Sequence, residues 1–210
     1  MHWPDSCAGN PADTIRLAVA VFHSKSSNPL PDPIVFLQGG PGGAAIELSA
    51  QGYEVVVEPF ISERDFVVFD QRGTGLSTPA LKCDELDKVY FQDIYGTIEN
   101  STRELVYQNA LFSCGGFHRS NGINLQAYST VENAADLKDV VQLLGYEKVN
   151  LFGVSYGTRL SLVTMRNHPE IVRSAILDSV VPVETNVLHA YPDSVKSALA
   201  KTFETCMVNV

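Results

Sequence analysis

Hydrophobic and polar positions follow two different periods along this chain. TIRLAVAVFHS (14–24) alternates and is rich in β-branched residues, the pattern of a strand. IVFLQ (34–38) and DFVVFD (65–70) are short unbroken apolar runs between turn signals, as expected of parallel strands covered on both faces. KVNLF (148–152) and IVRSAILDSVV (171–181) read as further strands. The clearest helix is STVENAADLKDVVQLLG (129–145). Ser129 and Glu132 form a capping box at its start, and Gly145 supplies the stop. Val131, Ala134, Ala135, Leu137, Val141 and Leu144 recur at helical spacing and predict its buried face. A second helix over about 156–168 ends before Pro169, and a third covers DSVKSALAKTFETCM (193–207). Residues 84–124 are polar and mixed, predicting helical pieces with loops at SCGG and RSNG.

Strands that alternate with helices imply an α/β fold with a mostly parallel sheet flanked by helices. A length of 210 residues fits one domain or one and a fraction. A net charge of −9 with no basic cluster argues against nucleic acid and anionic membranes as partners. No apolar run approaches the roughly 20 residues of a membrane span, and MHWPDSCAGN carries no signal-peptide pattern. Cys7, Cys83, Cys114 and Cys206 contain no Cys-x-x-Cys pair, and no cysteine and histidine stand at zinc-finger spacing, so no metal site is expected. The four are read either as free buried thiols or, for Cys83 and Cys114, as a disulfide that needs an oxidising compartment.

Three short motifs bear on chemistry. Gly153-Val154-Ser155-Tyr156-Gly157 fits G-x-S-x-G between a predicted strand and a predicted helix. In that context the serine occupies a tight bend with its hydroxyl above the sheet, where it serves as a nucleophile; the alternative is a packing turn with a buried serine. LQGGPGGA (37–44) follows another strand. Its glycines let backbone amides approach a substrate, so the Gly40 and Tyr156 amides are the candidate oxyanion donors. A phosphate cradle is the alternative for this loop, but neither P-loop nor G-x-G-x-x-G spacing is present. FDQRGTGLS (69–77) also ends a strand. Its preferred reading is scaffolding, with Gly73 and Gly75 shaping a turn and Arg72 paired to a carboxylate.

Together GGPGG, DQRGTGLS and GVSYG resemble, in order and spacing, the proline iminopeptidase and tripeptidyl aminopeptidase group of the α/β-hydrolase superfamily. The likeness runs from about Thr14 to the last residue and is closest to the tripeptidyl-aminopeptidase-like branch, whose members also carry cysteines between the second and third motifs. Gln38 departs from the histidine that often opens the family's glycine loop. The resemblance implies a serine hydrolase that removes short units from peptide N-termini through an acyl-enzyme on Ser155, without metal or cofactor. A carboxylesterase is the enzymatic alternative, since one elbow serves both chemistries. It also implies that residues 1–185 are the N-terminal part of a hydrolase core and that 186–210 begin a helical cap. A secreted or cell-envelope location follows from the same resemblance and the cysteines.

A triad needs a histidine and a carboxylate, which in this fold follow the serine. After Ser155 the chain offers His168 and His189. His168 closes the helix that begins at the serine, and at 1.5 Å per residue it lies roughly 20 Å away. A self-contained Ser155–His189–Asp178 set is the remaining option, and the resemblance marks Asp178 as a structural strand end instead. The expectation is that the triad acid and base belong to a C-terminal half not contained in these residues. A truncated, non-catalytic hydrolase is the rival reading.

Overall fold

The computed structural model describes residues 3–4 and 14–208, with side chains for 14–186 and 194–206. A five-stranded sheet organises the chain in the order β3-β5-β4-β6-β7. Its members are β3 (Val19–Phe22), β4 (Ile34–Leu37), β5 (Phe66–Phe69), β6 (Val149–Val154) and β7 (Val172–Asp178). β4 pairs parallel with β5 and β6, and β6 pairs parallel with β7. Only β3 is antiparallel, against β5.

The stretch 14–24 is not one strand. Thr14–Ile15 forms β2, which pairs with the two-residue β1 (Trp3–Pro4), and Arg16 exchanges backbone bonds with Thr78 instead of the sheet. The competing turn at Thr78 draws the chain away before β3 begins.

Side chains of β4 and β5 alternate between two cores. Val35, Leu37, Val67 and Phe69 face one layer together with Leu151, while Phe36, Phe66 and Val68 face the other. All are almost fully buried, which accounts for the unbroken apolar runs in the sequence. The first layer is completed by α5 (Thr130–Leu143) and α6 (Tyr156–Asn167) through Leu137, Val140, Val141, Leu160 and Val163. Beneath the opposite face lie α1 (Ala45–Gln51) and α2 (Tyr53–Val56), with Ala45, Val57 and Ile61 packed on the phenylalanines.

The buried face of α5 differs from the apolar stripe. Val131 is exposed and Leu144 only partly covered, whereas polar Asn133 and Asp136 are buried beside Ala134 and Leu137. The helix is turned so that these two polar groups reach Arg72. The Ser129 hydroxyl does accept the Glu132 N–H, as a helix cap.

Residues 84–124 form α3 (Asp84–Ile94) and α4 (Arg103–Ser120). The loop expected at SCGG does not occur, for α4 runs through Gly115 and Gly116. Helical glycine costs about 1 kcal/mol against alanine. Here Cys114, buried and disulfide-bonded to Cys83 with Cα atoms 5.4 Å apart, ties the helix to its neighbour. The expected stop at RSNG is present, with Gly122 at φ +79°. Cys206 is free and exposed, and Cys7 lies outside the described residues. The last helix, α7 (Val187–Val208), starts earlier than the sequence pattern predicts, and its described side chains are exposed.

Candidate active site

Ser155 joins β6 to α6 with φ 54° and ψ −119°. Such a conformation costs an L-residue of the order of 1–3 kcal/mol and persists only where its surroundings enforce it. Here the Ser155 N–H donates to the Asp178 carbonyl at 2.9 Å. The Ser155 carbonyl accepts from the Thr158 N–H at 2.9 Å and the Thr158 hydroxyl at 2.6 Å. The flanking glycines are required by close packing. A methyl group on Gly153 would meet the Gly157 carbonyl oxygen at 2.5 Å, and one on Gly157 would overlap the Leu37 carbonyl of β4.

The glycine loop lies against the serine. A Cβ built on Gly39 would be 3.0 Å from Ser155 Cβ and 3.5 Å from its hydroxyl oxygen. Gly40 and Gly42 adopt φ +117° and +108°, which side chains resist. Among the described residues, the Gly40 and Tyr156 amides donate to no other group. An open cleft of about 530 Å³ reaches Tyr156 and the Pro41–Gly42 part of this loop, and is bounded also by Gln71, Tyr128 and Thr130.

The third motif braces this arrangement. Asp70 is fully buried, and its carboxylate accepts from the Ile46 N–H at 3.0 Å and the Leu76 N–H at 2.8 Å, linking α1 to the turn. Gln71 Nε2 donates to the Gln38 carbonyl at 3.1 Å, fixing the base of the glycine loop. Arg72 is a scaffold, as its sequence context suggests. Its Nε and Nη2 each donate to Asp136 at 2.7 Å, and Nη1 donates to the Ala127 carbonyl at 2.6 Å. Burial pushes the Asp136 carboxyl upward against the opposing pull of Arg72. Tyr156 and Thr130 share a hydroxyl–hydroxyl bond of 2.8 Å that ties the start of α6 to α5.

Gln71, Thr130, Asn133 and Asp136 are contributors the sequence reading did not single out. Asn133 and Asp136 had a signal: polar residues adjoining the apolar stripe of an otherwise amphipathic helix.

The described histidines are occupied elsewhere. His23 is exposed and faces Asp65 at 3.4 Å, and His118 Nε2 lies 3.0 Å from the Lys82 carbonyl. His168 caps the far end of α6, 3.8 Å from Glu170. Among the described residues no histidine bonds the Ser155 hydroxyl. The side chain of His189 lies outside them. Asp178 serves Ser155 through its backbone, while its carboxylate accepts the Ser179 hydroxyl at 2.9 Å.

The family model for the alpha/beta hydrolase fold matches residues 32–204. The chain belongs to this family. Among curated proteins, it is 32% identical to a tripeptidyl aminopeptidase of Streptomyces lividans over 80% of this chain and 32% of that protein. It is 30% identical to the serine protease Hip1 of Mycobacterium tuberculosis over 75% of this chain and 31% of that protein. The chain thus spans about a third of the length of these relatives. Among solved structures, an alpha/beta hydrolase from a deep-sea metagenome library superposes with a TM-score of 0.50 at 18% identity, covering 89% of this chain and 48% of that one. That likeness concerns the fold.

Proposed function

We propose that this alpha/beta hydrolase uses Ser155 as a nucleophile, with the Gly40 and Tyr156 amides as oxyanion donors, to cleave short units from peptide N-termini through an acyl-enzyme. The carrying observation is the enforced backbone of Ser155, at φ 54° beside a glycine loop and two amides without partners among the described residues. A serine hydroxyl at such a bend is open to attack on a carbonyl. Donors aimed where negative charge develops contribute several kcal/mol to acyl transfer. The peptidase relatives favour a peptide over a simple ester.

The general base is a residue other than His23, His118 or His168, because each is engaged away from Ser155. On this reading residues 1–185 are the N-terminal part of the catalytic core, and 186–210 lead into a cap. The disulfide supports an oxidising compartment, secreted or cell-envelope, as part of the same reading. No described helix is long and apolar enough to cross a membrane.

The test is hydrolysis of tripeptidyl anilides against short-chain activated esters, with Ser155→Ala as the control. Removing one triad member leaves a residual 10³–10⁴-fold over water in comparable enzymes. The 210-residue chain is therefore expected to show only weak turnover, and any acyl-enzyme trapped from the activated ester should be carried by Ser155 and be absent from Ser155→Ala. Vigorous turnover abolished by His189→Ala would overturn the assignment of the base.

A further inference from the structure

Away from Ser155, one cluster combines two sulfurs with a buried imidazole. Cys83, Cys114 and His118 present ligand atoms that all lie within 4.8 Å of one another. Cys114 and His118 are one helical turn apart on α4 and face the same way, and both are at least nine-tenths buried. His118 Nε2 lies 3.0 Å from the Lys82 carbonyl, an acceptor that holds the proton on that nitrogen. Nδ1 then carries the lone pair, and it has no hydrogen-bond partner although it is buried. A ring nitrogen fixed by a backbone carbonyl on its far side is how proteins orient a metal-binding histidine.

We propose that Cys83, Cys114 and His118 form a redox-gated site for a thiophilic dication such as Zn²⁺. In the structure the two sulfurs are bonded to each other, so the site is closed. A thiol or phosphine reductant supplies two electrons and is itself oxidised; the S–S bond breaks and two protons complete the thiols. Binding then releases those two protons to solvent as two metal–sulfur bonds form. Zn–S bonds of about 2.3 Å require the sulfurs to move apart to about 3.8 Å, within reach of side-chain rotation. The partial exposure of Cys83 leaves room for water as a fourth ligand.

The acidic first turn of α3 offsets the positive end of that helix at its N-cap residue, Cys83. Asp84, Glu85 and Asp87 occupy the first turn of α3 next to Cys83, against Lys82 on its other side. Net negative charge at that point opposes ionisation of an isolated thiol and attracts a dication. The role goes beyond the hydrolase reading and does not depend on it.

The experiment uses the full chain with Cys7→Ser and Cys206→Ser, so that only these two thiols remain. The protein is reduced with a phosphine, desalted without air and titrated with Co²⁺, then with Zn²⁺. About one equivalent of Co²⁺ is expected to bind with thiolate-to-cobalt absorption, to be displaced by Zn²⁺, and to be absent from the oxidised chain. His118→Ala should weaken binding at least roughly tenfold. Three results overturn the proposal: no such absorption after reduction, unchanged affinity in His118→Ala, or a reduced chain that unfolds and is not restored by Zn²⁺. Acylation at Ser155 is not read by this titration, so either assignment can fail without the other.

Discussion

Gly157 packs its Cα directly against the Leu37 carbonyl oxygen, so that the helix after Ser155 touches the backbone of the central strand β4. No side chain fits between them. Gly157→Ala should therefore displace α6 or prevent folding, and loss of a cooperative urea transition will show it. Gly116, by contrast, lies in α4 with open space where a Cβ would stand. Gly116→Ala is expected to stabilise the chain by about 0.5–1 kcal/mol in the same measurement.

Arg72 and Asp136 are both nearly inaccessible and joined by two 2.7 Å bonds. Removing one partner leaves the other charge buried, which typically costs about 3–5 kcal/mol. Arg72→Met and Asp136→Leu should each be destabilised by that order. The double variant should be less destabilised than the sum of the two, and chemical denaturation of all four chains closes the cycle.

Asp65 supplies a pH signature. Burial works against its charge, but the Ser24 amide, the Tyr146 hydroxyl and His23 outweigh this and hold its carboxyl below the usual range. Asp32 is likewise held low, with burial overcome by Asn150 and Arg64. A lowered folded-state value means stability that is present above the unfolded value of about 3.9 and lost as pH falls through the folded one. Asp136 and Asp139 are shifted the other way, so the comparison must be made against a variant. The stability gap between the natural chain and Asp65→Asn should be widest near neutrality and close below about pH 4.

The Cys83–Cys114 bond closes a segment whose ends are 31 positions apart. Chain entropy assigns such a bond about 3–4 kcal/mol. Reduction without added metal should lower the urea midpoint accordingly, and Cys83→Ser with Cys114→Ser should reproduce the reduced value.

The parts of the fold that were readable from sequence share a physical basis. β4 and β5 are buried on both faces, so their apolar runs could not be loops. Ser155 sits where a strand, a bend and a helix meet, with glycines at the two positions that backbone contact forbids to a side chain. The errors arose where tertiary contacts override local preference. α4 passes through two glycines because Cys114 is anchored in the interior, and α5 is rotated to serve Arg72 from a distant turn. No period in a single segment encodes a partner more than sixty residues away. The histidine inventory was readable too: the distance along α6 separates His168 from Ser155, and the structure finds it beside Glu170.

Ser155 is proposed as the nucleophile, served by a base other than His23, His118 or His168. The most direct measurement is covalent labelling by an activated organophosphorus ester, followed by intact-mass and peptide mapping, with and without added imidazole. One slow adduct is expected, located on Ser155, formed faster when imidazole acts as an external base, and lost in Ser155→Ala. An adduct on another residue, or labelling unchanged by Ser155→Ala, would contradict it.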